Sequence, residues 1–249
     1  MFFDPTPFLI ITGSVIASAS GFVKGFSGFG FAMVFTPLCS IVFDRPREVV
    51  FVALVLGAIM SIGVITEVRH EITKETAIPV AIGTAAGTPI GIMLLGLIDV
   101  PALKLIIASI AIVVTLLRLA NLKLKIVPGA KPLAIGTFLG GILNGCTSIG
   151  GPIPALIVAW QNRGIGESRS ILVAFNLLSY LLAIAVALGT GVAQLPWLLS
   201  GIWLFPPAAI GTFVGTHAVR HISKETFGNF ITAVVGLAGV AGILSVLKI

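Results

Sequence analysis

Hydrophobic positions dominate the chain and are broken at intervals by charged or turn-forming residues. Cut at those breaks, the sequence falls into apolar segments at 7–43, 49–66, 77–97, 101–119, 132–160, 169–190, 195–218 and 223–247. A transmembrane helix needs about 20 predominantly apolar residues. Six of the eight segments have that length; the first and fifth do not. Helix punctuation falls at the breaks. Asp99-Val100-Pro101 and Ser223-Lys224-Glu225 read as N-cap starts, and Pro196 sits at the head of its segment. The pattern predicts an all-α, polytopic membrane protein.

The two exceptional segments are interrupted by glycine. Residues 7–43 contain Gly21-Phe22-Val23-Lys24-Gly25-Phe26-Ser27-Gly28-Phe29-Gly30, and residues 132–160 contain Gly140-Gly141 through Gly150-Gly151-Pro152. At an offset of 120, Gly21, Gly25, Ser27 and Gly30 fall on Gly141, Gly145, Thr147 and Gly150. A second echo sets Gly83-Thr84-Ala85-Ala86-Gly87-Thr88 against Gly211-Thr212-Phe213-Val214-Gly215-Thr216, and Arg47 and Arg169 head corresponding helices. Matching order at nearly constant offset predicts an internal repeat. Repeat 1 covers 1–121, with the hairpin 7–43 and helices 49–66, 77–97 and 101–119. Repeat 2 covers 122–249, with the hairpin 132–160 and helices 169–190, 195–218 and 223–247. Together they form a single transmembrane domain.

Composition agrees. Of 249 residues, 57% are hydrophobic and only 10% charged, with mean hydropathy +1.15. A soluble domain carries about 25% charge, so soluble, disordered and nucleic-acid-binding classes are excluded. The +6 net charge comes from 15 Lys and Arg against 9 Asp and Glu, set in short clusters between the apolar runs. Cys39 and Cys146 both lie in apolar segments and read as small packing residues, with no disulfide between them. Met1-Phe2-Phe3-Asp4-Pro5 has no positive n-region, so no cleavable signal peptide is expected, although Ala17-Ser18-Ala19 loosely resembles a cleavage site.

Loop charge separates two topologies. If each Gly-rich segment crosses once, the cationic loop and span-end residues divide seven to seven. If each dips in and returns, only Arg45, Arg47, Lys104 and Lys248 stay on one side, and ten gather on the other. Only the second obeys the positive-inside rule. Each half is then a Gly-broken re-entrant helical hairpin plus three transmembrane helices. Three is odd, so the two repeats are inverted.

A helix broken at membrane depth frees backbone groups that lipid cannot satisfy, so such a break lines a polar cavity or is buried in protein. New helices should start at about Gly28–Phe31 and Gly150–Ile153. Their N-termini favour anions, and the two tips are expected to converge near the midplane. Lys24 is the one charge inside either hairpin, and an ionisable group at that depth is a functional candidate. Ser27, Asn144, Thr147 and Ser148 add neutral donors. The acids Asp4, Asp44, Glu48, Glu67, Glu71, Glu75, Asp99, Glu167 and Glu225 all lie at segment ends or in loops, which argues against a cation path. The expected substrate-binding set is Lys24, Gly25, Ser27, Gly28, Phe29, Gly30, Asn144, Gly145, Cys146, Thr147, Ser148, Gly150 and Gly151. Asn176 and His217 are accessory or proton-coupling candidates. No metal and no cofactor is expected, and the protein is read as a non-enzyme. Its partners are a small anion and the lipid bilayer. The oligomeric state is open, a homodimer being compatible.

Simpler readings stand beside these. Gly-rich runs can serve close helix packing alone, most of all the Gly-Thr pair. Lys24 can snorkel, Asn176 can make an interhelical hydrogen bond, and His217 can be an interfacial residue. Trp160, Trp197 and Trp203 fit interface anchors, and Gln161, Asn162 and Arg163 a solvated loop. Gly25-Phe26-Ser27-Gly28 also fits a short intramembrane serine-protease pattern, with His217 as base, but its counterpart Gly145-Cys146-Thr147-Ser148 lacks it. A passive anion channel is the nearer alternative to a carrier.

The glycine motif Gly21-x-x-x-Gly25-Phe26-Ser27-Gly28-Phe29-Gly30, its second copy Gly141-x-x-x-Gly145-x-x-x-x-Gly150-Gly151-Pro152, the length and the two-repeat layout resemble the TauE/SafE sulfite-exporter family, also called toluene-sulfonate uptake permeases. The first copy has Phe29 where many members carry another glycine. The resemblance implies a multi-pass permease of the bacterial inner membrane for sulfite, sulfoacetate, related organosulfonates or other small organic acids. The residues themselves reach only a small anion, carried by alternating access between the two tips.

Overall fold

The computed structural model describes residues 7–27, 30–120, 125–218 and 224–247. Among them there is no strand. The helices are α1 (Pro7–Ser27), α2 (Phe31–Val42), α3 (Pro46–Val68), α4 (Lys74–Leu97), α5 (Val100–Ala120), α6 (Ala130–Thr147), α7 (Pro152–Trp160), α8 (Ile165–Gly189), α9 (Leu195–Ala218) and α10 (Lys224–Leu247). A 3₁₀ turn at Arg69–Glu71 follows α3. Asp99 caps α5 by accepting the Ala102 N–H at 2.9 Å; Ser223 lies outside the described residues.

Both long apolar segments break at their glycines, into α1–α2 and α6–α7. The arms are unequal. α1 has 21 residues and α2 has 12; α6 has 18 and α7 has 9. At 1.5 Å per residue α1 is about 30 Å long, enough to cross a hydrocarbon core. Six helices among the described residues are long and apolar enough to span: those containing Leu9–Phe26, Pro46–Thr66, Lys74–Leu97, Val100–Ala120, Gly166–Gly189 and Leu195–Ala218. Large aliphatic and aromatic side chains stand exposed on them, Ile11, Val15, Leu97, Leu119 and Phe213 among others. In water such a surface would drive association; in lipid it is the solvated face.

The chain divides into two compact units. One is built from α1, α2, the start of α3, α5, α9 and α10; the other from the rest of α3, α4, α6, α7 and α8. The units do not follow the two sequence repeats. Each takes a broken helix pair from one repeat and a Gly-Thr helix from the other.

Each unit is organised by one close helix pair. In the second unit α4 lies along α6, and a Cβ on Gly87 or Gly91 would overlap the Phe138 or Ile142 carbonyl. A Cβ on Gly145 would come within 2.6 Å of the Thr88 carbonyl oxygen. In the first unit α9 lies along α1. There Gly211 and Gly215 bed on the Ser18 and Phe22 carbonyls, and Gly21 and Gly25 on those of Ala208 and Thr212. Lipid tails are as apolar as leucine, so these contacts are held by dispersion at short range, which only small residues permit. Around them lie buried clusters: Val80, Leu133, Val158, Ile171 and Phe175 in the second unit, and Val23, Phe26, Val34, Ala111 and Val235 in the first.

These contacts shift the register of the Gly-Thr echo. Gly87 meets Phe138 as Gly211 meets Ser18, and Gly91 meets Ile142 as Gly215 meets Phe22. Phe138 and Ile142 are Ser18 and Phe22 advanced by 120 positions. The structural counterpart of Gly87-Thr88 is therefore Gly211-Thr212, at offset 124, and not Gly215-Thr216 as the sequence match at 128 had it. The difference is one helical turn. A motif repeating every four residues aligns with itself equally well one turn along, and only the packing partner decides.

Candidate functional site

The α6–α7 break shows how the sequence builds a tip. α6 stops because Ser148 turns left-handed, with φ 61°, a conformation costing a non-glycine residue about 1–2 kcal/mol. Its N–H still bonds the Asn144 carbonyl at 2.7 Å. The next freed donors are met locally. The Ile149 N–H donates to Thr147 Oγ1 and the Gly150 N–H to Asn144 Oδ1, each at 3.3 Å. The Thr147 hydroxyl returns to the Leu143 carbonyl at 2.8 Å, and the Ser148 hydroxyl to the Thr147 carbonyl.

The Asn144 amide is spent in both directions. While Oδ1 holds Gly150, Nδ2 donates to Ser179 Oγ of α8 at 2.8 Å. Ser179 Oγ in turn shares a hydrogen bond with Thr88 Oγ1 of α4 at 3.0 Å. Asn144, Ser179 and Thr88 are all fully buried. A buried polar group costs several kcal/mol in an apolar medium unless paired, and here all three side chains are.

α7 then opens Pro152-Ile153-Pro154-Ala155. Its first turn should offer up to four free N–H groups, but two of these residues are prolines without one. The Ala155 N–H returns to the Gly151 carbonyl at 3.1 Å. The N–H groups of Gly151 and Ile153 remain, and among the described residues neither has a hydrogen-bond acceptor. They lie where the surface opens: residues 144–150 are buried, while Gly151, Pro152 and Ile153 are part-exposed. Asn176 of α8 reaches the same edge. Its Oδ1 is 3.7 Å from where a Cβ on Gly151 would stand.

The α1–α2 break belongs to the other unit. α2 starts after Gly30, whose φ of 89° requires glycine, and the Met33 N–H bonds the Gly30 carbonyl at 3.2 Å. Lys24 lies in the last turn of α1 and is 7% exposed. Gly28 and Phe29 lie outside the described residues, as does the Ser27 side chain. Lys24 precedes Gly25, which beds on Thr212; Asn144 precedes Gly145, which beds on Thr88. The two residues thus hold the same slot, a cation in one unit and an amide in the other.

Elsewhere the structure revises details. Glu48 is not solvated. It sits in the first turn of α3 at 1% exposure, accepts from Ser200 Oγ at 3.4 Å and pairs with Arg45 at 3.8 Å. Gln161 is buried too: its Nε2 donates to the Gly129 carbonyl at 3.4 Å, and its Oε1 accepts from Arg163 Nε at 2.6 Å. Arg163 also pairs with Glu167. Cys39 and Cys146 are free and buried. His217 is exposed on α9, with Nδ1 2.8 Å from its own helix's Phe213 carbonyl. Among the described residues no cluster of His, Cys, Asp and Glu could hold a metal. The sequence reading missed Ser179. Its one signal was position: Asn176 and Ser179 are three apart, on one face of α8.

The geometry is that of a multi-pass membrane protein with two broken helix pairs, of which the α6–α7 pair offers donors at its tip. No curated protein and no solved structure matches the chain. A family model does: the one described as sulfite exporter TauE/SafE matches residues 14–242. The match covers nearly the whole sequence, including both glycine breaks, and the chain belongs to the TauE/SafE sulfite exporter family.

Proposed function

We infer that the chain, as a member of this family, is a membrane transporter of the anion-exporter type. We propose that it carries sulfite, sulfoacetate or a related small organic anion across a bacterial inner membrane by alternating access, with no enzymatic step. The inverted arrangement of repeats and the re-entrant course of the broken pairs belong to the same proposal. It is supported by the recurrence of one glycine-packed helix pair in both units. One observation carries the anion assignment: after the α6–α7 tip has satisfied its own groups, the open donors on its rim are the N–H groups of Gly151 and Ile153. They head a helix whose dipole favours negative charge.

In this reading the anion touches Gly151, Ile153 and Asn176 in one unit, and Lys24 is the candidate charge of the other unit's own tip. Gly25, Ser27, Gly28, Phe29 and Gly30 shape the first tip; Asn144, Gly145, Cys146, Thr147, Ser148 and Gly150 form the frame of the second. His217 is the proton-coupling candidate. Purified protein in proteoliposomes tests this with ³⁵S-sulfite and labelled sulfoacetate at two pH values. Saturable flux, with accumulation driven by a pH or voltage gradient, is expected. Flux that only dissipates a gradient would make the protein a channel, and flux of neither anion would remove the assignment.

A further inference from the structure

We infer that Ser179, braced by Thr88, is a positioning residue that sets the affinity of the α7 tip for its anion. The inference rests on the anion-carrier reading above.

Four groups form an unbroken chain inside one unit. Thr88 Oγ1 and Ser179 Oγ are 3.0 Å apart, Asn144 Nδ2 donates to Ser179 Oγ at 2.8 Å, and Gly150 N–H donates to Asn144 Oδ1 at 3.3 Å. The last link falls immediately before the residue whose N–H lies open, Gly151. The orientation of Gly150 therefore sets the direction of the first donor offered to an anion. The Asn144 carboxamide can turn about its terminal torsion, because an sp³–sp² bond has broad, shallow wells. Its bond to Ser179 stops that turn and keeps Oδ1 on Gly150. Ser179 is held in turn by the hydroxyl of Thr88, on the helix that packs backbone to backbone against α6.

α8 contributes twice from one face. Asn176 stands at the rim beside Gly151, and Ser179, one turn on, holds the frame behind it. One helix thus positions both the donor edge and a side chain that borders it. A small displacement weakens a preorganised anion contact, because its strength depends on donors already pointing at the ligand.

The experiment is concentration-dependent ³⁵S-sulfite flux by the full chain in proteoliposomes, normalised to folded protein. Ser179→Ala removes the acceptor for Asn144. It should raise KM about three- to tenfold, the ratio expected for one lost buried hydrogen bond, and leave maximal flux within about twofold. Thr88→Val keeps the shape but removes the brace, and should raise KM less. Thr137→Val is the control. It deletes another fully buried hydroxyl of the same unit, one bonded to the Leu133 carbonyl at 2.8 Å and outside this chain of groups. Its KM should match the wild type. If Ser179→Ala does not fold, Thr88→Val carries the test alone. A KM for Ser179→Ala no higher than for Thr137→Val would overturn the inference, as would a fall in maximal flux at unchanged KM, which a purely structural role would produce. Absence of saturable flux in the wild type would instead remove the carrier reading beneath it.

Discussion

Lys24 and Asn144 hold the same position in two separate helix pairs. Each precedes a glycine that lies on the backbone of a threonine, Gly25 on Thr212 and Gly145 on Thr88. In one unit the slot carries an amide with both ends bonded inside the protein; in the other it carries a lysine that is 7% exposed. The packing is common to both and the charge is not. If the charge serves the anion, Lys24→Asn should keep the fold and lower sulfite flux about ten- to a hundredfold, the range for losing one charge-assisted contact. Lys24→Arg should retain part of it. Wild-type flux from Lys24→Asn would remove Lys24 from the anion's path.

The two glycines of the α7 tip separate architecture from access. A Cβ on Gly150 would come within 2.8 Å of the Asn144 backbone nitrogen and closer still to the Gly140 carbonyl. Gly150→Ala should therefore destabilise by about 1–3 kcal/mol, as overpacking does. Gly151 has ordinary helical angles, φ −57° and ψ −35°, and the nearest atom to its Cβ position is 3.7 Å away. Gly151→Ala should leave the melting temperature in detergent unchanged or slightly raised, and Gly151→Leu should block flux without unfolding the protein. A Gly151→Leu protein with normal flux would place the anion elsewhere.

Glu48 tests what a buried acid does at the start of a membrane helix. It accepts from Ser200 and pairs with Arg45. Glu48→Gln preserves an acceptor for Ser200 and should cost little. Glu48→Ala leaves partners unsatisfied and should cost about 1–3 kcal/mol. Thermal unfolding of the two variants in one detergent distinguishes them, and equal melting temperatures would show that the acceptor for Ser200 contributes nothing.

The α2–α3 loop carries a titratable carboxyl group, Asp44, outside the membrane spans. Lys104 Nζ donates to Asp44 Oδ1 at 2.6 Å. That hydrogen bond, followed by the charge itself, holds the Asp44 carboxyl below its ordinary 3.8. The contribution to stability is therefore complete above that ordinary value and is lost as pH falls through the lower folded one. The Asp44 side chain is 94% exposed, so screening keeps the contribution small. Asp44→Asn should lower the melting temperature slightly at neutral pH, not at all at strongly acidic pH, and less in high salt. A difference that grows on acidification would contradict the pairing.

Much of the fold is legible because its signals are local. Apolar run length, glycine interruptions and the Asp99 cap each act within a few residues, and the breaks before Phe31 and Pro152 fall where glycine and proline place them. The tip chemistry is legible only in kind. Asn144, Thr147, Ser148 and Gly150 read as donors for an anion, and the structure shows their donor groups bonded inside the tip.

The sequence by itself determined that this is a multi-spanning, acid-poor helical protein with two glycine breaks. Hydrophobicity over 20 residues and the backbone freedom of glycine are properties of short stretches. Tertiary structure decided which register the Gly-Thr helices adopt, that Glu48 is buried, and that the N–H groups of Gly151 and Ile153 find no acceptor among the described residues. Those outcomes depend on which polar groups find partners on other helices. Asn144 meets Ser179 across 35 positions and Ser179 meets Thr88 across 91. No local period encodes such pairs, because in lipid a donor's fate is set by whatever acceptor the packing brings within 3 Å or so.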